Sequence, residues 1–116
     1  MPDTHLSIRI DLANGNRIGP GKIALLEAIQ ATGSISGAAR ALEMSYRRAW
    51  LLVEEINNTL SKPAVTAEMG GRSGGGASVT PAGEKIVDLY RKIETNARSS
   101  AGTEFRALGK LIRRGK

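Results

Sequence analysis

The chain has 116 residues, 41% of them hydrophobic, with no cysteine and four aromatic side chains, Tyr46, Trp50, Tyr90 and Phe105. That length suits one domain of ordinary size with an aliphatic core, and the lack of cysteine excludes a disulfide framework, a zinc finger and a thiol nucleophile. Seventeen Lys and Arg against eleven Asp and Glu give a net charge of +6, a balance that suits nucleic acid as a partner as well as it suits a basic protein with no special partner.

The opening MPDTHLSIRI lacks the basic and apolar regions of a signal peptide. No apolar run approaches the ~20 residues that span a bilayer. A cytoplasmic location and no membrane partner are therefore expected. From His5 to Leu12 the chain alternates, with Leu6, Ile8, Ile10 and Leu12 on one face and His5, Ser7, Arg9 and Asp11 on the other. Period two predicts a half-buried strand. The turn signal Asn14-Gly15-Asn16 follows, and Arg17-Ile18-Gly19 can return as a short second strand.

Pro20 suits the first position of a helix; Ile23, Leu26, Ile29 and Gln30 mark its turns, with Ala24, Leu25 and Ala28 filling in, so that it is expected to be largely buried and apolar over much of its circumference. Gly33 suits its C-terminal end. Ser34 then caps a short helix over Ile35 to Leu42, and Ser45 caps a third with Ala49, Val53, Ile56 and Leu60 at helical spacing. Two such helices joined across Glu43-Met44 form a helix-turn-helix. Pro63 stops the third helix. Strand signals at Ala64 to Met69 and at Ser78 to Thr80 flank "GGRSGGGAS", Gly70 to Ser78. A hairpin after a helix-turn-helix is the wing of a winged helix. Its glycines let the backbone approach a phosphate, and Arg72 is the charge at its tip.

Thr80, Pro81 and Glu84 open a fourth helix, with Ile86, Leu89, Tyr90 and Ile93 as its apolar stripe. It is expected to run to about Ser99. Beyond Ala101-Gly102 a last short helix is suggested by Phe105, Leu108, Leu111 and Ile112, in a tail that holds five basic residues and no acid from Arg106 to Lys116. The expected boundaries are a winged-helix domain over 1–100 and a basic tail over 101–116.

At the start of the third helix stand Ser45, Tyr46, Arg47 and Arg48, where unpaired amides and the helix dipole suit contact with phosphate or base. Trp50 either rests against DNA or anchors the helix on the body of the domain, and the anchor is preferred. A nucleotide-phosphate loop is discounted for the glycine stretch, because no Lys follows the glycines and G-x-G-x-x-G is absent, and a flexible linker is the less favoured alternative to the wing, because strand signals flank both sides. His5 is the only histidine and is expected to face solvent; with no Cys beside it there is no transition-metal set, and no cofactor is expected. Glu54 and Glu55 diverge by roughly 100° on a helix. No catalytic group has a partner, so an enzyme is not expected.

The segments "SIS", "SYRRAW", "EEIN" and "GGRSGGGASVTPAGEKIVDLY", with the alternating first strand, resemble the N-terminal DNA-binding domain of the ModE family of molybdate-responsive regulators. The resemblance covers about Leu6 to Glu94. It implies an α+β winged helix of the LysR type, with an N-terminal strand and a long C-terminal dimerisation helix. It also implies a homodimer on a two-fold site in double-stranded DNA, and a link to molybdenum or oxyanion metabolism. Carried over, Ser34, Ser36, Ser45, Tyr46, Arg47 and Arg48 are the helix-turn-helix contacts, and Arg72, Gly74, Gly75 and Gly76 those of the wing.

Ile86, Leu89, Tyr90 and Ile93, with surplus apolar surface on the first helix, form the expected dimer interface. The chain ends at Lys116, without room for the family's oxyanion-binding domains, so molybdate sensing is not expected of this chain alone. The expected function is a dimeric DNA-binding transcriptional regulator reading an inverted repeat. The alternative is a protein-interaction module on a winged helix that no longer reads DNA.

Overall fold

The alternating N-terminal segment keeps its two faces. Leu6, Ile8, Ile10 and Leu12 are half-buried, while His5, Ser7, Arg9 and Asp11 are exposed, in a computed structural model that describes residues 4–68 and 76–113. Only part of the segment is a strand, however. β1 (Ile10–Asp11) pairs antiparallel with β2 (Arg17–Ile18), Ile10 opposite Ile18. The expected strand from His5 is shorter because β2 gives way at once to Gly19 and Pro20, so the backbone before Ile10 has no neighbour to pair with. The turn between them is closed by Asn14, whose Oδ1 accepts from Asn16 N–H at 3.0 Å.

Pro20 opens α1 (Pro20–Thr32) at its first position, and Gly33 ends it with φ 77°, a left-handed conformation that glycine adopts without cost. α2 (Ile35–Ala41) and α3 (Tyr46–Thr59) follow, then β3 (Val65–Ala67) and β4 (Ala77–Val79), α4 (Pro81–Ser100) and α5 (Gly102–Leu111). β3 and β4 pair antiparallel with Val65 opposite Val79 and Ala67 opposite Ala77.

The core is aliphatic, as the scarcity of aromatics requires. Ile23, Leu25, Leu26 and Ile29 of α1 meet Ala38 and Ala39 of α2 and Ala49, Val53 and Ile56 of α3. The alanines let the three helices approach closely, and each buried Leu or Ile contributes roughly 1.5–3 kcal/mol. α1 therefore spends its apolar circumference inside its own domain, and the surplus surface expected on it is absent: its exposed residues among those described are Pro20, Gly21, Gln30, Ala31 and Thr32.

α4 lies against α1. The Arg91 guanidinium grips the Glu27 carboxylate with two bonds, 2.6 and 3.0 Å, and reaches Glu94 at 2.6 Å. Both carboxylates hold Arg91 still more firmly protonated than usual. Gly83, in the first turn of α4, is where the helix meets the wing: a Cβ there would collide with the Ala64 carbonyl oxygen and lie 2.6 Å from Val79 Cγ1.

Tyr90 departs from its expected place on the dimer face. It is 1% exposed, and its hydroxyl donates to the Ile8 carbonyl at 2.5 Å. A ring that buries its body and satisfies its one polar atom against the N-terminal segment belongs to the core. Burial pushes the phenol above its ordinary 10.0, and the Glu94 carboxylate adds to the shift. The unfolded chain then loses this proton at lower pH than the folded one. The stabilisation is complete below about pH 10 and is lost as pH rises through the raised value. Urea midpoints measured from about pH 9 to 11 should fall less steeply in Tyr90→Phe than in the parent chain. Equal slopes would mean that this phenol does not resist ionisation.

Candidate nucleic-acid interface

The helix-turn-helix is built from two serine caps. Ser34 is extended at the head of α2, and its Oγ accepts from Gly37 N–H at 2.9 Å. Ser45 does the same for α3, accepting from Arg48 N–H at 3.0 Å. Each hydroxyl oxygen is engaged as an acceptor, so its hydrogen is left to donate outward. Ser36 is exposed beside Ser34, the two Oγ atoms 3.5 Å apart. The turn between the helices runs through Glu43, a non-glycine residue at φ 56°, and is tied back by Met44 N–H to the Ala39 carbonyl at 3.0 Å.

α3 divides into three stripes. Ala49, Val53 and Ile56 are buried. Arg47, Leu51, Glu54 and Asn58, at i, i+4, i+7 and i+11, are all exposed and form its outer face. Arg48 and Leu52 lie on the flank toward the N-terminal hairpin, in a groove shared with Arg9 and Arg17. Tyr46 is 55% exposed and meets Trp50 edge to face, centroids 6.2 Å apart. Trp50 is half-buried against the core, the anchoring position preferred from sequence. Arg47 and Arg48 are exposed, and neither has an ion pair among the described residues.

The wing's base lies beside α3 and the end of α1. Glu68 N–H donates to Gly76 at 2.7 Å and Ala77 N–H donates to the Gly33 carbonyl at 2.9 Å. Gly76 is half-buried in this ladder; Arg72, Gly74 and Gly75 lie outside the described residues. A single side chain positions the base. Asn57 of α3 accepts from Ala64 N–H at 2.8 Å and Val65 N–H at 3.1 Å, and donates to the Val65 carbonyl at 3.1 Å. Thr80 holds the other side, accepting from Gly83 N–H at 3.1 Å and donating to the Pro63 carbonyl at 2.6 Å.

Away from α3, Leu89 and Ile93 of α4 are 46% and 45% exposed, and Leu108, Leu111 and Ile112 of the α5 segment are exposed too. Ile86 is half-buried, packed partly on the core. Of the four residues expected at a dimer interface, Leu89 and Ile93 are thus exposed, Ile86 is half-buried and Tyr90 is buried. His5 is exposed at the N-terminal edge. Among the described residues no group of three His, Cys, Asp or Glu could hold a metal ion, and no helix is long and apolar enough to cross a membrane.

The chain is 54% identical over 80 residues to the molybdenum-pterin-binding protein MopB of Rhodobacter capsulatus, an overlap of 69% of this chain and 30% of MopB. It is 38% identical over 91 residues to the molybdenum transport protein ModE of Azotobacter vinelandii, covering 78% of this chain and 34% of that protein. With the transcriptional regulator ModE of Haemophilus influenzae it shares 34% identity over 94 residues, 81% of this chain and 37% of that one. The chain is a ModE-type winged helix.

It spans about a third of the length of these relatives. No protein-family model matches it. Among solved structures, the full-length LysR-type regulator LysG of Corynebacterium glutamicum, with its bound effector Arg, superposes with a TM-score of 0.54 at 26% identity, over 81% of this chain and 29% of LysG. The ModE-type domain thus has the LysR-type helix-turn-helix, with α2 and α3 as its two helices.

Sequence reasoning passed over Leu51, although its position four residues after Arg47 marks the same helical face. Asn57 ends the "EEIN" segment, but nothing local gave it a role, since its partners are backbone groups seven and eight residues on. Removing its carboxamide leaves two N–H groups and a carbonyl without partners, a loss of about 1–3 kcal/mol. Asn57→Ala should lower the unfolding free energy by that amount and speed amide exchange at Val65. An unchanged urea midpoint would show that the clamp carries no net stability.

Proposed function

We propose that this ModE-type domain binds double-stranded DNA as a two-fold dimer and serves as the DNA-reading part of a transcriptional regulator. One observation carries the reading: the outer face of α3 presents Arg47 and Leu51 with no structural duty inside the domain, directly behind the serine-capped N-terminal turn. In the major groove, Arg47 pairs with base edges and Leu51 meets thymine methyl groups. Ser45, Tyr46 and Arg48 contact the base edges or backbone at the start of the helix. Ser34 and Ser36 at the head of α2 reach phosphate, and so does the wing through Arg72 and Gly74, Gly75 and Gly76. The relatives named as regulators and the likeness to LysG support this use of the fold. The molybdenum in the relatives' names is not carried to this chain.

Binding sites selected from a random DNA pool provide the test. Arg47→Ala should cost ~1–3 kcal/mol on the selected site and relax the preference at the base it reads. A folded Arg47→Ala chain with unaltered affinity and selectivity would remove α3 from the reading role.

Dimerisation is supported by Leu89 and Ile93, about half-exposed on a 20-residue helix, and by the exposed apolar residues Leu108, Leu111 and Ile112 further along the chain. Two such domains place their recognition helices about one DNA turn apart, ~34 Å or a multiple of it, and select an inverted repeat. Because Leu89 and Ile93 are not core residues, Leu89→Asp with Ile93→Asp should shift sedimentation toward monomer while leaving the thermal midpoint of the monomer within a few degrees. A wild-type chain that stays monomeric at micromolar concentration and selects a single half-site would refute the dimer.

A further inference from the structure

We propose that the N-terminal hairpin forms a second phosphate-binding wall, in which Arg17, with Arg9, joins Arg48 in holding the DNA backbone along the flank of α3. The proposal rests on the DNA-binding reading above. Its basis is an open groove of about 280 Å³ into which Arg9, Arg17, Lys22 and Arg48 all face, beside Met44 and Leu52. The four cations come from the N-terminal hairpin, from the start of α1 that follows it and from the more distant α3, and they are not equivalent. Lys22 is committed to the fold: its ammonium pairs with Glu55 at 3.3 Å and donates to the Arg17 carbonyl at 2.9 Å. Arg9 is partly compensated by Asp11 at 3.1 Å. Arg17 and Arg48 are exposed and have no acidic partner among the described residues. Gly21 at the groove edge leaves open space where a side chain would stand.

Position selects the occupant. The hairpin lies beside α3, tied to it directly by Asn14 Nδ2 to the Thr59 carbonyl at 3.2 Å and indirectly through Lys22 of α1, which joins the Arg17 carbonyl to Glu55 of α3. An α-helix with its side chains is about 10–12 Å across and the major groove about 12 Å wide. A helix seated there fills the groove, and what lies on its flank meets the phosphate row. The hairpin is on that flank, and its uncompensated charge adjoins Arg48. A shallow groove open along its length fits a run of phosphates better than one small anion.

The test is the salt dependence of DNA affinity for the full chain, by fluorescence anisotropy on a selected duplex and on a random-sequence duplex. Arg17→Ala should weaken both by the same factor and lower the slope of log K against log salt by about one unit. Arg17→Lys should retain the slope, and Asp11→Asn, which releases Arg9 and removes a negative charge, should tighten both duplexes. An unaltered slope in folded Arg17→Ala, with Arg47→Ala still impaired, overturns the hairpin wall and leaves the DNA reading standing. So does a loss confined to the selected duplex. A wild-type chain that binds neither duplex overturns both.

Discussion

The carboxamide of Asn57 is the joint on which the arrangement of this domain turns. One side chain from the second half of α3 satisfies three backbone groups of Ala64 and Val65, so the direction in which the wing leaves the helix is set by hydrogen bonds rather than by packing alone. Thr80 closes the same knot from the other strand, and Gly83 lets α4 settle onto the Ala64 carbonyl without a Cβ between them. Helix-turn-helix, wing and long helix therefore share one small region around Pro63 and Ala64. Buried amides with all partners present add little net energy. With a partner removed they cost several times more, and that asymmetry makes the joint specific.

Charge is distributed as unevenly as packing. Several acids are spent on internal pairs: Glu27 and Glu94 on Arg91, Glu55 on Lys22, Asp88 on Lys92. The positive excess of the chain is thus left on residues with no such duty, Arg17, Arg47 and Arg48 among them. The pair between α1 and α4 is half-exposed, so its Coulombic worth is reduced by water. Its bidentate geometry still fixes the angle at which α4 departs.

Much of the fold was legible because it is local. Serine caps, Pro20 and Pro81 at helix starts and Gly33 at a helix end each act within one turn of chain, and the starts of α2 and α3 fall where those signals put them, while the wing strands, Val65–Ala67 and Ala77–Val79, overlap the expected segments with shifted ends. Tyr90 was misread because a stripe of four apolar residues on one helix does not say which of them faces inward. That depends on where the Ile8 carbonyl comes to lie, 82 residues away in sequence. The first strand was read too long because alternation reports faces, and a ladder also needs a partner of equal length. At the start of α3 the exposure of Tyr46, Arg47 and Arg48 was legible, but not that Arg47 shares the outer face with Leu51 while Arg48 lies on the flank. Nor was the meeting of Arg9 and Arg17 with Arg48, because it depends on how the hairpin is fastened to α3.

The turn between α2 and α3 has a consequence for association. Glu43 sits at φ 56° with a full side chain, a conformation that costs an L-residue roughly 1–2 kcal/mol against the ordinary helical one. A glycine would relieve that cost and would also open other angles between the two helices. With Glu43 the strain is met once, on folding, and the turn is held by its surroundings, Met44 N–H to the Ala39 carbonyl and Glu43 N–H to the Arg40 carbonyl among them. The rigid angle then behaves as stored order: α3 meets its partner already aimed, and little orientational entropy remains to be lost in the encounter.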